Sequence, residues 1–144
     1  MPKLLSEAQV EGYARDGYVS PIDVLSAAEV QAFRQDLEDW ETQRGQAIDF
    51  PEKSKSYLLF NWADQLVHHP RILDAVEDVI GPDILVYHST LFLKEAHTPA
   101  YVRWHQDSPY FYLSPHLHVT AWVALSNASI EAGCMQVLPG STKW

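Results

Sequence analysis

The segment ILVYHSTLFLK, residues 84–94, decides the fold class. It is dense in β-branched and aromatic side chains and holds no glycine or proline, the composition of a β-strand. Alternate residues of a strand share a face. His88, Thr90, Phe92 and Lys94 therefore fall on one side, and Leu85, Leu91 and Leu93 on the other. Downstream the strand character continues. Residues 101–107 suit a short strand with a loop after it, HVTAWVAL (118–125) alternates cleanly, and residues 134–138 suit a further short strand before the Pro139-Gly140-Ser141 turn. In HVTAWVAL, His118, Thr120 and Trp122 share a face that mixes polar groups with an aromatic ring, as a cavity wall would. Val119, Ala121, Val123 and Leu125 form an apolar face expected to pack on helices or core.

Upstream of residue 84 the periodicity is helical. Ser6-x-x-Gln9 and Ser26-x-x-Glu29 have the form of capping boxes, which satisfy the orphan N–H groups of a helix start. They predict helices from Ser6 to about Asp16, ended by Gly17, and from Ser26 to near Gly45, with Val30, Phe33, Leu37 and Trp40 as the apolar stripe of the second. Residues 45–56 read as polar and irregular. Pro70 opens a third helix whose buried face is Ile72, Ala75, Val76, Val79 and Ile80, and Gly81-Pro82 stop it. Helices first and strands afterwards predict an α+β, mainly β fold. It would be a single domain over residues 1–144, with helices packed on one face of an antiparallel sheet or partial jelly roll.

The formal net charge of −9 opposes binding to nucleic acid and to anionic membrane surfaces, both of which select clustered Lys and Arg. No run approaches the ~18 apolar residues of a membrane span. The N-terminus lacks the apolar stretch of a signal peptide, so the cytoplasm is the expected compartment. Cys134 is the single cysteine, which excludes an internal disulfide and suits a reducing compartment. Five Trp and seven Tyr suit a cavity lined with aromatic rings.

The sharpest chemical signal is Trp104-His105-Gln106-Asp107. In extended backbone a His and an Asp two residues apart point to the same side, so an imidazole nitrogen and a carboxylate oxygen can take adjacent positions on one metal. Two histidines and one carboxylate form the facial triad of non-haem iron(II) oxygenases. H-x-D alone is a short and frequent pattern. Its surroundings add specificity: Leu91-Phe92-Leu93-Lys94 before it, Tyr110 and Thr120-Ala121-Trp122 after it, then Gly133-Cys134-Met135-Gln136-Val137-Leu138-Pro139-Gly140-Ser141.

In order and spacing these segments resemble the phytanoyl-CoA dioxygenase family. The likeness covers about residues 55–144, including Pro70 to Asp74 and Gly81-Pro82, and is weaker in the N-terminal helices. It implies a double-stranded β-helix holding iron(II), in an enzyme that couples decarboxylation of 2-oxoglutarate to hydroxylation of a small organic substrate by O₂. It further implies His105 and Asp107 as iron ligands, Lys94, Thr90 and Trp122 around the cosubstrate, and His88 and Tyr110 toward substrate. An Asp at position 107 fills the site that halogenating relatives leave open for chloride, so hydroxylation is implied.

The third ligand, a distal histidine, and the arginine for the far carboxylate of 2-oxoglutarate would lie beyond Trp144. The chain is thus expected to be the N-terminal part of such a domain, truncated at its C-terminus. A homodimer, or closure of a partial sheet by the helices, would cover the exposed strand edges. The alternative is a non-catalytic remnant, a small-acid-binding or dimerising scaffold.

Other readings stand beside these roles. Lys94 equally suits a solvated strand end, His88 a buried hydrogen-bonded histidine, and Tyr110 ordinary packing. His116-x-His118 resembles a cupin metal pair, but the next glutamate is Glu131, away from cupin spacing. His68-His69 read as surface residues, and Cys134 as a packed thiol.

Overall fold

The computed structural model describes residues 1–144. Both capping boxes form. Helix α1 (Glu7–Asp16) starts at Ser6, whose hydroxyl accepts from the Gln9 amide, and ends at Gly17 in the left-handed conformation. Helix α2 (Ala27–Arg44) starts at Ser26 and ends at Gly45, also left-handed. The Glu29 carboxyl is pulled down to about 2, first by the Ser26 hydroxyl, then by the Ser26 amide and by His69. Helix α4 (Pro70–Ile80) has Pro70 in its first turn and stops at Gly81. Between them lies α3 (Asn61–Val67), which the sequence reading does not foresee. It is short, and its N-cap, Phe60, makes no side-chain capping bond, so neither start signal nor periodicity marks it.

The helices pack into one body. Phe33 of α2 and Trp62 and Ala63 of α3 form the central cluster, joined by Leu25, Leu37, Tyr57, Phe60 and Leu66. Phe60 stacks on Trp62 at 5.8 Å between ring centroids, and Trp40 meets Phe60 edge-on at 5.4 Å. Helix α4 holds the N-terminal arm through Asp78, whose carboxylate accepts from the amides of Lys3, Leu4 and Leu5 at 2.6, 2.8 and 2.8 Å. Burial pushes this carboxyl upward, but the three N–H donors outweigh it and the group sits below its ordinary value. His69 is largely covered, its side chain 14% exposed and its Nε2 3.3 Å from Glu29, which corrects its reading as a surface residue.

The expected α+β, mainly β jelly roll is not observed. Helix accounts for 39% of residues and strand for 1%, with no sheet. Residues 84–94 carry one antiparallel bridge, Ser54 to Thr90. It is flanked by hydrogen bonds from Lys55 N to Ser89 O (2.8 Å) and from Leu91 N to Lys53 O (3.0 Å). The partner is therefore the polar segment 45–56, read from sequence as irregular. Residues 118–125 make no backbone–backbone hydrogen bond. Strand propensity describes a fit to an extended, half-buried surface, whereas a sheet needs a second segment in register to take up its N–H and C=O groups. These residues have the first without the second.

Burial shows the same division. All seven buried residues, Leu5, Phe33, Ile48, Ser56, Trp62, Ala63 and Ile72, precede residue 73. Leu91 and Leu125 do reach the Phe33 cluster, Leu125 on the face that parity assigned to the core. Leu85 does not, being 85% exposed. Two short helices, α5 (Ser108–Phe111) and a 3₁₀ turn at Ser141–Lys143, interrupt the extended half. No helix is long and apolar enough to cross a membrane.

If the core lies wholly in the helical half, Phe33→Ala costs about 3 kcal/mol and Leu138→Ala, at a 45% exposed position, less than about 1 kcal/mol. Urea unfolding followed by helical circular dichroism measures both. Equal losses would contradict this placement.

Candidate metal centre

His105 and Asp107 meet. The Nε2 of His105 lies 3.1 Å from Oδ1 of Asp107. The other ring nitrogen, Nδ1, lies 2.7 Å from the carbonyl oxygen of Arg103. A carbonyl only accepts, so Nδ1 carries the proton, and in the neutral ring Nε2 presents a lone pair to the carboxylate. Two acceptors at this distance need a cation, either the second proton of an imidazolium or a metal ion. Two ligand atoms each ~2.1 Å from one octahedral ion and at right angles would be ~3.0 Å apart. The observed separation fits such a pair, and a backbone carbonyl on Nδ1–H is the usual orienting partner of a metal-bound histidine. Both side chains are 40% exposed. A solvated contact of this kind adds little to folding stability.

The second carboxylate oxygen is also engaged. Thr120 donates its hydroxyl to Oδ2 of Asp107 at 3.0 Å. Tyr110 stands edge-on to the His105 ring, 6.1 Å between centroids at 80°. His88 and Thr90 are joined to each other, Nε2 to Oγ1, at 2.8 Å. The Lys94 ammonium lies against Gly133, whose φ of +73° is a conformation that favours glycine. Trp122, two residues past Thr120, is 44% exposed. No hydrogen bond, ion pair or ring contact ties Lys94 or Trp122 to the His105–Asp107 pair, and no group of three or more His, Cys, Asp or Glu side chains gathers anywhere in the chain. His116 and His118 do not pair either: His116 Nδ1 meets the Ser108 hydroxyl at 3.1 Å, and the His118 ring abuts Phe111.

The residue between the two ligand candidates moors their loop. Gln106 donates its side-chain amide to the carbonyl of Ser141, 2.8 Å away and 35 residues downstream. The Pro139-Gly140-Ser141 turn is itself fixed to the end of α1. The Gly140 amide donates to Asp16 O at 2.7 Å, and Thr142 packs on Gly17, where any Cβ would collide with it. The W-H-Q-D and P-G-S segments are thus physically joined. Sequence reading assigned no role to Gln106 and placed Thr120 only on a cavity-type face with His118 and Trp122, without linking it to Asp107. The signal was parity: in H-x-D the middle residue points away from the ligand face, and Thr120 shares the face of Trp122.

These features coincide with a family. The phytanoyl-CoA dioxygenase (PhyH) family matches residues 13–144, and the chain belongs to it. It is 26% identical to L-proline trans-4-hydroxylase of Streptomyces griseoviridis over 95% of its length and 55% of that protein. It is 38% identical to human peroxisomal phytanoyl-CoA dioxygenase over 51% of its length and 23% of that protein. Among solved structures it is similar to a non-heme monooxygenase in a nickel complex, ThoJ–Ni. That likeness has a TM-score of 0.62 and 35% identity, and covers 71% of this chain and 43% of the other. The chain spans about half the length of the curated relatives that it matches from end to end.

Loss of the Gln106 tether, worth about 1 kcal/mol, would open its loop about fivefold more often. Gln106→Ala is expected to raise trypsin cleavage after Arg103 by that factor while cleavage within α2, after Arg34, is unchanged. Equal rates at Arg103 in both proteins would show that the tether does not hold the loop.

Proposed function

We propose that this chain bears the ligand-carrying part of an oxygenase that uses iron(II), 2-oxoglutarate and O₂ to hydroxylate a small organic substrate. The observation that carries the reading is the His105–Asp107 pair, with Nδ1 committed to a carbonyl and Nε2 turned to the carboxylate. Membership of the family and the dioxygenases among its relatives support it.

In this reading His105 Nε2 and Asp107 Oδ1 would hold the metal. The metal and its cosubstrate, when bound, supply the activation of O₂ for hydroxylation. The chain supplies placement. The Arg103 carbonyl fixes the imidazole tautomer, Gln106 keeps the ligand loop on the helical body, and Lys94 offers an ammonium for a carboxylate of the cosubstrate. Thr90 and Trp122 flank that cosubstrate, and His88 and Tyr110 face the substrate. Asp107 as a ligand favours hydroxylation over halogenation, because its carboxylate takes the place a halide would need.

Anaerobic titration of iron(II) and 2-oxoglutarate tests this. A chelated 2-oxo acid on iron(II) gives a visible charge-transfer absorption, expected in the parent chain and absent in His105→Ala. No absorption in the parent would refute the claim that these 144 residues hold the site themselves, and would favour the non-catalytic scaffold.

A further inference from the structure

We propose that Thr120 is a positioning residue that holds Asp107 as a one-oxygen metal ligand. The inference rests on the metal-binding reading above and assigns a role to a side chain outside the ligand set. A carboxylate can bind a cation through one oxygen or chelate it through both. Here the two oxygens have different neighbours: Oδ1 faces His105 Nε2 at 3.1 Å, and Oδ2 accepts the Thr120 hydroxyl at 3.0 Å. Thr120 comes from a separate segment, 13 residues downstream, so the contact is not a local turn effect. A carboxylate accepts only, which makes the hydroxyl the donor. With Oδ2 engaged and the carboxylate plane fixed, Oδ1 is the atom left to the metal. One-oxygen binding also leaves a coordination position that chelation would consume.

Thr120 is exposed, so it is not needed to fill a core. Valine keeps its shape and β-branching while removing the donor, and serine keeps the donor. Outer-shell partners of this type typically change metal affinity about 10- to 100-fold.

Nickel(II) titrated calorimetrically into the parent, Thr120→Val, Thr120→Ser and His105→Ala chains measures the effect, with helical circular dichroism confirming that each variant is folded. The expected result is nickel binding about 10- to 100-fold weaker in Thr120→Val and within about threefold of the parent in Thr120→Ser. The infrared splitting between the asymmetric and symmetric carboxylate stretches of the nickel-loaded protein should also narrow in Thr120→Val, as one-oxygen binding gives way to chelation. A valine variant that matches the parent in both affinity and splitting overturns the role of Thr120 and leaves the metal reading intact. A parent that binds no nickel, or binds it equally well as His105→Ala, overturns the metal reading itself and the inference with it.

Discussion

Two acceptor atoms face each other at 3.1 Å, His105 Nε2 and Asp107 Oδ1, and much of this structure can be understood as the means of keeping them there. The Arg103 carbonyl takes the only proton of the neutral ring. Thr120 takes the other carboxylate oxygen. Gln106 binds the loop to Ser141, and the glycine turn beside Ser141 binds to the end of α1. Each contact is weak alone, and the pair they hold is solvated. Nothing in that arrangement is explained by folding stability, since exposed ion pairs contribute at most about 1 kcal/mol. It is the arrangement that the proposed cation site would require, two donor atoms at a fixed separation.

The helical half was legible because helix signals are local. Ser6 and Ser26 announce their helices with a glutamine or glutamate three residues later, and Gly17, Gly45 and Gly81 end theirs. These groups satisfy the backbone within a few residues, so no distant partner has to be known. Helix α3 escaped because it is one short element with no capping side chain, held in place by Trp62 and Ala63 in the core. Its stability comes from packing, which a local reading cannot see.

The extended half was only partly legible, for the opposite reason. The composition of residues 84–94 and 118–125 gives an extended backbone, and of the face that parity assigned to the core Leu125 packs there while Ala121 is exposed. Parity also set His88 beside Thr90 and His105 beside Asp107, both of which are in contact. What composition does not carry is the partner. Ser54, in a segment with no strand character, provides the only bridge to Thr90, and the sheet expected from the strand-like runs does not form. The site shows the same limit. Residues two apart on one segment could be grouped from sequence, whereas Gln106 with Ser141 and Thr120 with Asp107 are joined across 35 and 13 residues.

The central claim is that His105 and Asp107 together form a cation site. It is tested most directly by crystals grown with manganese(II) and an anomalous difference map collected near the manganese edge. The account predicts a peak about 2.0–2.3 Å from both His105 Nε2 and Asp107 Oδ1, with the Thr120 hydroxyl still on Oδ2. A map with no peak at this pair, or with manganese bound instead beside His116 and His118, would contradict it.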